Sequence, residues 1–434
     1  MKNMSIINTS LLLGAMVIPF SAFAEPEDEV PKEENISIKI LEYKDSTDTY
    51  ITMHENAPQV KSTRDVPRFT LHGKEGKFYL GIGANIKTVA NYDFGHPISN
   101  PNLFTTSAIP MTQDPGNGAM FKFNAQQSNI YLNVVALPGS KNQLGAYVSI
   151  NFMGNGYAPS LQHAYLKYRG ITAGYTYSLF TDAAAAPATI DYEGPNGFAC
   201  VIHGNIYYEQ PFGKHHEWKA GIGLDMPNES FTNATHTATV SQRVPDIPFY
   251  IQRSWAKGAG WLRLSGIIRN LYYRDEIAGK NVDKVGWGIK ASGMTPIYGG
   301  LSAYYQALYG KGIASYIQDL TGCGMDLMPN AGNPGELNPV KAWAGFGALQ
   351  YNFSPSVYCT AIYSHVRTYD SPYADSSVAW KSGYKYAQYV LGNVFWNVNS
   401  IVQLGMEYIY GRRVNYDGTQ AHDNRVEAML QVSF

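Results

Sequence analysis

From residue 76 onward the chain repeats a pattern that few folds can satisfy. About sixteen segments, each roughly ten residues long, carry one apolar and one polar face. KFYLGIGANIKT sets Phe78, Leu80, Ile82, Ala84 and Ile86 against Tyr79, Gly81, Gly83, Asn85 and Lys87. SNIYLNVVA, QLGAYVSINF, LQHAYLKYRG, VIHGNIYYEQ, EWKAGIGLDM, GWLRLSGIIRN, KVGWGIKASGM and VQLGMEYIYG alternate in the same way. A period of two is that of a strand, whose successive side chains point to opposite faces. AWAGFGALQY and VYCTAIYSHV alternate ambiguously.

The connections narrow the choice. A soluble sandwich also alternates, but it has no reason to gather its long loops at one end. Here long links, such as residues 91–119 and the stretch after Arg169-Gly170 and its strand, trade places with short turns at LPGSKN, PFGKHH, KGAG, PIYGG, SPS and NVNS. That is the spacing of an up-and-down barrel. The fold expected is all-β: a transmembrane antiparallel up-and-down β-barrel of about 16 strands, closed so that no backbone group is left unpaired in hydrocarbon. An even strand count puts both ends on the periplasmic side. The final RVEAMLQVSF then pairs with the first strand and sets Phe434 at the lower interface, a terminal aromatic of the kind that barrel-assembly machinery reads.

Composition agrees. Only 15 % of the residues are charged, against about 25 % in soluble domains, yet the mean hydropathy is slightly negative. The 33 tyrosines suit two boundaries between lipid and water. A net charge of -1 offers nothing to neutralise phosphates, so no nucleic-acid partner is expected. Three scattered cysteines make neither a disulfide framework nor a zinc site. No metal or cofactor is expected.

Three regions follow. Residues 1–24 read as a secretory signal peptide: Lys2, then an apolar stretch to Phe20, then Ala22-Phe23-Ala24 as the cleavage site. Residues 25–72 hold eleven acidic and six basic side chains and read as an acidic periplasmic extension, with ISIKI and TYITM as short strands. Residues 73–434 form the barrel, placed in a bacterial outer membrane after cleavage near Ala24.

A barrel of sixteen strands has a lumen too wide for side chains alone to fill. The third long link, YSLFTDAAAAPATIDYEGPNGF, is the expected inward-folded extracellular loop. It carries Ala183 to Ala186, Pro187 and the carboxylates Asp182, Asp191 and Glu193. The opposing wall is expected to be basic. In residues 248–275, Leu262, Leu264 and Ile268 share the lipid-facing parity, and Arg263, Ser265 and Arg269 the lumenal one. A turn centred on Gly258 puts Arg253 opposite Arg263, and Lys290, Lys87 and Lys167 also point inward. A charge on the lipid face at mid-depth costs about 2–4 kcal/mol. These nine charged residues are the expected pore lining and constriction.

Several stretches resemble the DcaP-like porin family of the outer membrane, in the family's order: TAGYTYSLFTDAAAAPATIDYEGPNG, WLRLSGIIRNL, GWGIKASG, YGKGIASYIQDLTGCGMD and LGMEYIYGRRVNYDG. The resemblance covers residues 77–434. It implies a homotrimeric porin passing small hydrophilic solutes by diffusion, among them anions such as dicarboxylates. Two features depart from the family. Residues 25–72 lack the heptads of its periplasmic coiled coil and contain Pro26, Pro31, Pro58 and Pro67, and the loop has AAAA where relatives are more polar.

The rivals are a non-conducting structural or adhesin barrel and an outer-membrane enzyme. Catalysis at the lipid boundary needs a Ser–His pair there, but His163 and His203 have lumenal parity and His215-His216 sits in a short turn. No catalytic residue is expected.

Overall fold

A computed structural model describes residues 37–40, 69–73, 76–112, 116–330, 332–369 and 383–434. The signal segment and most of the acidic extension, TYITM included, lie outside the described residues.

The chain forms a closed antiparallel barrel of sixteen strands. In order they are β1 (Phe78–Gly95), β2 (Ala119–Asn124 and Asn129–Ala136, one strand with a break), β3 (Leu144–Asn151), β4 (Ser160–Tyr168), β5 (Ile171–Tyr177), β6 (Ile202–Phe212), β7 (Trp218–Asp225) and β8 (Thr237–Thr239 and Ile247–Trp255). There follow β9 (Gly260–Asp275), β10 (Lys280–Tyr298), β11 (Leu301–Lys311), β12 (Lys341–Asn352), β13 (Val357–Tyr369), β14 (Tyr384–Asn397), β15 (Val402–Asn415) and β16 (Gln420–Ser433). Each pairs with its neighbours in sequence, and β16 returns to β1 from Asp423↔Gly95 to Ser433↔Asn85. Below that seam Phe69–His72 continues the line of β16 along the start of β1, and Ser37–Ile40 pairs with it.

The barrel is apolar outside and polar within. On β9, Leu262, Leu264 and Ile268 are exposed outward, while Arg263, Ser265 and Arg269 are buried inward. On β1 the inward row contains Asn85, Lys87, Asn91 and Asp93, against Phe78, Ile82 and Ile86 outside. Exposed Leu, Ile, Phe and aromatic side chains on every strand would be an aggregation hazard in water and are what a bilayer covers.

Connections at the lower end, where β1 starts and β16 finishes, are short. Between β4 and β5 it is Arg169-Gly170 alone, at φ 47° and 81°. Two left-handed residues in succession match the twist of a tight hairpin. The upper end holds the long links, but two upper connections are short: 276–279 and 416–419. The alternation of long and short therefore fails at these two places. Among the described residues, loop 1 (96–112 and 116–118), loop 3 (178–201) and loop 6 (312–330 and 332–340) are long and pack inside.

Their packing explains the two ambiguous segments. Ala342, Ala344 and Phe346 of β12 and Ile362 and Val366 of β13 point inward but meet Phe198 of loop 3 and Ile313, Ile317 and Leu320 of loop 6 rather than water. Both faces of these strands are apolar because a loop covers the inner one.

On the other side of the lumen tyrosines do much of the filling, with Leu179 of loop 3 packed on Tyr207 and Tyr250. Tyr131, Tyr165, Tyr207 and Tyr250 each lie directly across the ladder from an inward glycine: Gly83, Gly174, Gly223 and Gly221. The Tyr131 ring occupies the space of a side chain at Gly83, where a Cβ would sit 2.2 Å from it. Gly83→Val is therefore expected to reduce the yield of folded, heat-modifiable barrel, since overpacking costs about 1–3 kcal/mol or more. Adding Tyr131→Ala should restore much of it. Normal yield from Gly83→Val alone would show that the ring yields freely.

Candidate functional site: the lumen around loop 3

Loop 3 leaves β5 at Ser178 and turns into the lumen. Asp182 starts a short 3-10 turn, Ala183–Ala185, and Pro187 follows it. Small side chains let this turn lie close against β10 and β11. The loop then follows the wall from β9 round to β15, fixed at each step by a polar contact.

Asp182 is buried, and its Oδ2 accepts from Ser292 Oγ (2.7 Å, β10) and Trp261 Nε1 (3.1 Å, β9). Its Oδ1 lies 3.9 Å from Arg263, an ion pair too long for a hydrogen bond. Burial raises the Asp182 carboxyl, but Arg263 and Lys290 beside it, with the two hydrogen bonds, bring it below its ordinary value. Lys290 donates to the Phe180 carbonyl and lies 4.9 Å from the centre of the Phe180 ring. Further along, the Ala188 carbonyl accepts from Asn393 of β14 (2.9 Å), and Glu407 of β15 accepts from the backbone N–H groups of Ile190 and Asp191, both at 2.8 Å. Lys87 of β1 donates to the Ile190 carbonyl at 3.0 Å.

Asp191 and Glu193 are buried too. Asp191 accepts from the N–H groups of Phe104 (3.0 Å) and Glu193 (3.2 Å) and from Tyr389 Oη (3.1 Å). Glu193 accepts from Thr105 Oγ1 in loop 1. Burial raises both carboxyls above the usual range, and Asp191 and Asp319 raise Glu193 further. The return leg is held by Gly197, whose N–H donates to Ser364 (2.9 Å) and whose carbonyl accepts from Gln306 (3.0 Å). The three loop carboxylates thus act as struts that join loop 3 to the wall and to loop 1.

The basic residues divide. Arg263 donates to Gln252 at 2.9 Å and stacks 4.0 Å over the Tyr250 ring. Arg269 is consumed by structure: it bonds Asp246 (3.0 Å), Asp326 (3.1 Å) and the Gly312 carbonyl (2.7 Å), tying loop 6 to β9. Lys167 points inward near the lower mouth and is half-exposed. Arg253 does not face the lumen. The turn after β8 is 256–259, so Arg253 pairs with Leu262 and Gln252 takes the place opposite Arg263. A slip of one residue moves a side chain to the other face, and Arg253 is exposed outside, beside Trp218.

Residues the sequence reading missed are Glu407, Asn393, Ser364 and Tyr389, which hold the loop, Lys219 and Arg413, which face the lumen half-exposed, and Lys122, which faces it mostly buried against Asp93. Parity was the available signal: Gln403, Gly405 and Glu407 alternate with Leu404, Met406 and Tyr408. Among the described residues no group of three His, Cys, Asp or Glu could hold a metal ion.

No family model matches the chain, and no curated protein matches it in sequence. Solved structures do match it in shape. The outer membrane channel DcaP of Acinetobacter baumannii superposes with a TM-score of 0.71 at 20 % identity, over 83 % of this chain and 99 % of that one. An anion-selective porin from Comamonas acidovorans gives a TM-score of 0.53 at 9 % identity, over 82 % and 100 %. OmpT of Vibrio cholerae gives 0.51 at 10 %, over 83 % and 99 %. The chain has the sixteen-stranded barrel fold of the DcaP channel, as the resemblance in its sequence implies.

Proposed function

We propose that the protein is an outer-membrane porin through which small hydrophilic solutes diffuse passively, with a preference for anions such as dicarboxylates. The observation that carries the anion preference is an asymmetry of exposure. The inward carboxylates Asp93, Glu209, Asp225, Glu407, Asp423 and Glu427 are all buried, whereas the inward Lys87, Lys122, Lys167, Lys219 and Arg413 keep part of their surface in the lumen. Arg263, Arg269, Lys290 and Arg425 are buried as well, but of these inward strand charges the ones that keep exposure are basic, so a passing ion meets positive charge first. One of the barrels of like shape is an anion-selective porin.

The wall supports a homotrimer. Strands β3 to β5 are only 8, 9 and 7 residues long, against 16 and 19 for β9 and β10. At about 3.3 Å per residue and a tilt near 40°, such strands fall short of an apolar band about 25 Å tall. Their outer face still carries exposed Leu144, Val148, Leu166 and Ile171. A second copy packed against this low wall would spare the bilayer from thinning to meet it.

The test is current through the purified protein in a planar bilayer under a salt gradient. The expected result is step-wise conductance with a reversal potential favouring chloride over potassium, and a preference that falls toward unity in Lys167→Gln/Lys219→Gln. Equal permeability in the unaltered protein would remove the anion preference, and silence from folded protein would favour a structural or adhesin barrel.

A further inference from the structure

The struts that hold loop 3 are unevenly placed. From Asp182 to Gly197 they lead to β9, β10, β11, β13, β14, β15 and β1, and most are buried. Toward β4 the loop makes a contact of another kind. Gln162 of β4 donates its Nε2 to the Tyr192 hydroxyl, and both side chains are half-exposed. The backbone beneath Tyr192 is fixed, since its N–H donates to the Asn102 carbonyl of loop 1 at 3.2 Å and the neighbouring Asp191 is strutted on both sides. Tyr192 is therefore held at its base and reaches for the far wall with its ring.

The lip of the loop is otherwise small and uncharged. Between residues 182 and 199 only Ala184, Ala188, Thr189 and Tyr192 keep any appreciable exposure. Three of them end in methyl groups or a short hydroxyl side chain and narrow nothing. The fourth carries a ring long enough to close most of the gap to β4.

We infer that Tyr192 and Gln162 form a bar across the constriction and set the size of solute that passes, while the buried charges of loop 3 do not. This rests on the porin reading and deepens it. A hydrogen bond between two neutral, half-exposed side chains is one of the weaker contacts in a protein, so the bar is the part of the constriction that yields first. Because neither partner is charged, the bar governs size and leaves ion preference to the lumenal lysines.

The experiment compares the full chain with Tyr192→Ala, Tyr192→Phe and Gln162→Ala in planar bilayers, and in proteoliposome swelling with glucose and raffinose as probes. Tyr192→Ala should raise single-channel conductance about twofold and admit raffinose faster, with the chloride preference unchanged. Gln162→Ala should shift both in the same direction by less. Tyr192→Phe, which keeps the ring and loses the bond, should hold the mean conductance and increase its noise. If the unaltered protein conducts and neither alanine variant differs from it, the bar does not set the aperture and the inference is overturned while the porin reading stands. If all of them are silent, the porin reading fails and takes the inference with it.

Discussion

Arg425→Ala is expected to lower the unfolding temperature of the barrel markedly. Arg425 lies on β16 directly opposite Asp93 of β1, at the seam where the last strand meets the first. It is fully buried, with Nε 2.7 Å from Asp93 Oδ1 and Nη2 2.9 Å from Oδ2, a two-pronged pair. Nη2 also donates to the Asn100 carbonyl of loop 1 at 2.8 Å, and Nη1 stands 3.6 Å from Glu427. Removing the guanidinium leaves Glu427 buried beside Glu407 and leaves Asp93 with Lys122 alone (2.6 Å). Breaking one side of a buried pair costs about 3–5 kcal/mol, because an uncompensated charge stays behind. Arg425→Lys should recover little, since an ammonium cannot match both carboxylate oxygens. Asp93→Asn/Arg425→Met should be milder than Arg425→Ala, as both charges leave together. Heat-modifiable migration on gels reads all three, and an Arg425→Ala barrel as heat-resistant as the parent would mean that the seam's hydrogen-bond ladder holds by itself.

How far the sequence alone reached depends on the distance over which each residue's role is decided. Parity decides within one strand, and it placed Arg263, Arg269, Lys290, Lys87 and Lys167 on the lumenal side, because a lipid-facing charge is too costly to keep. Register is decided by a turn, and there a single residue was enough to send Arg253 outside. What a lumenal charge does is decided by partners far away in the chain. Asp191 meets Tyr389, Arg269 meets Asp326, and loop 6 covers β12 and β13, all contacts that no local pattern records. The carboxylates of loop 3 were legible as part of an inward loop from the small residues around them. That they brace the loop, and that uncharged residues form its lip, became visible only with the opposite wall in place.

Glu407→Ala is expected to release the middle of loop 3. The Glu407 carboxylate accepts three hydrogen bonds: from the N–H groups of Ile190 and Asp191, each at 2.8 Å, and from Asn393 Nδ2 at 2.9 Å. Its strand register puts it directly opposite Glu427, so removing it also relieves a like-charge contact. The two effects oppose each other, and their sizes settle the sign. Hydrogen bonds to a charged acceptor contribute about 1.5–3 kcal/mol each, and two buried amides left without partners cost about 1–3 kcal/mol each. Cross-strand repulsion is on the order of 1 kcal/mol, and Arg425 and Lys87 nearby already offset part of it. Losing the bonds wins. Glu407→Gln should also fail: each carboxylate oxygen accepts a backbone N–H, so an amide NH2 would set donor against donor at one of them. Hydrogen exchange across residues 188–193 is the direct measurement. A local loss of about 2 kcal/mol corresponds to exchange faster by roughly thirtyfold at Ile190 and Asp191, with the strand amides of β15 unchanged. Should those two amides keep their protection in Glu407→Ala, loop 3 is held by its other struts, and the lumen keeps its shape without the carboxylate that the geometry puts at its centre.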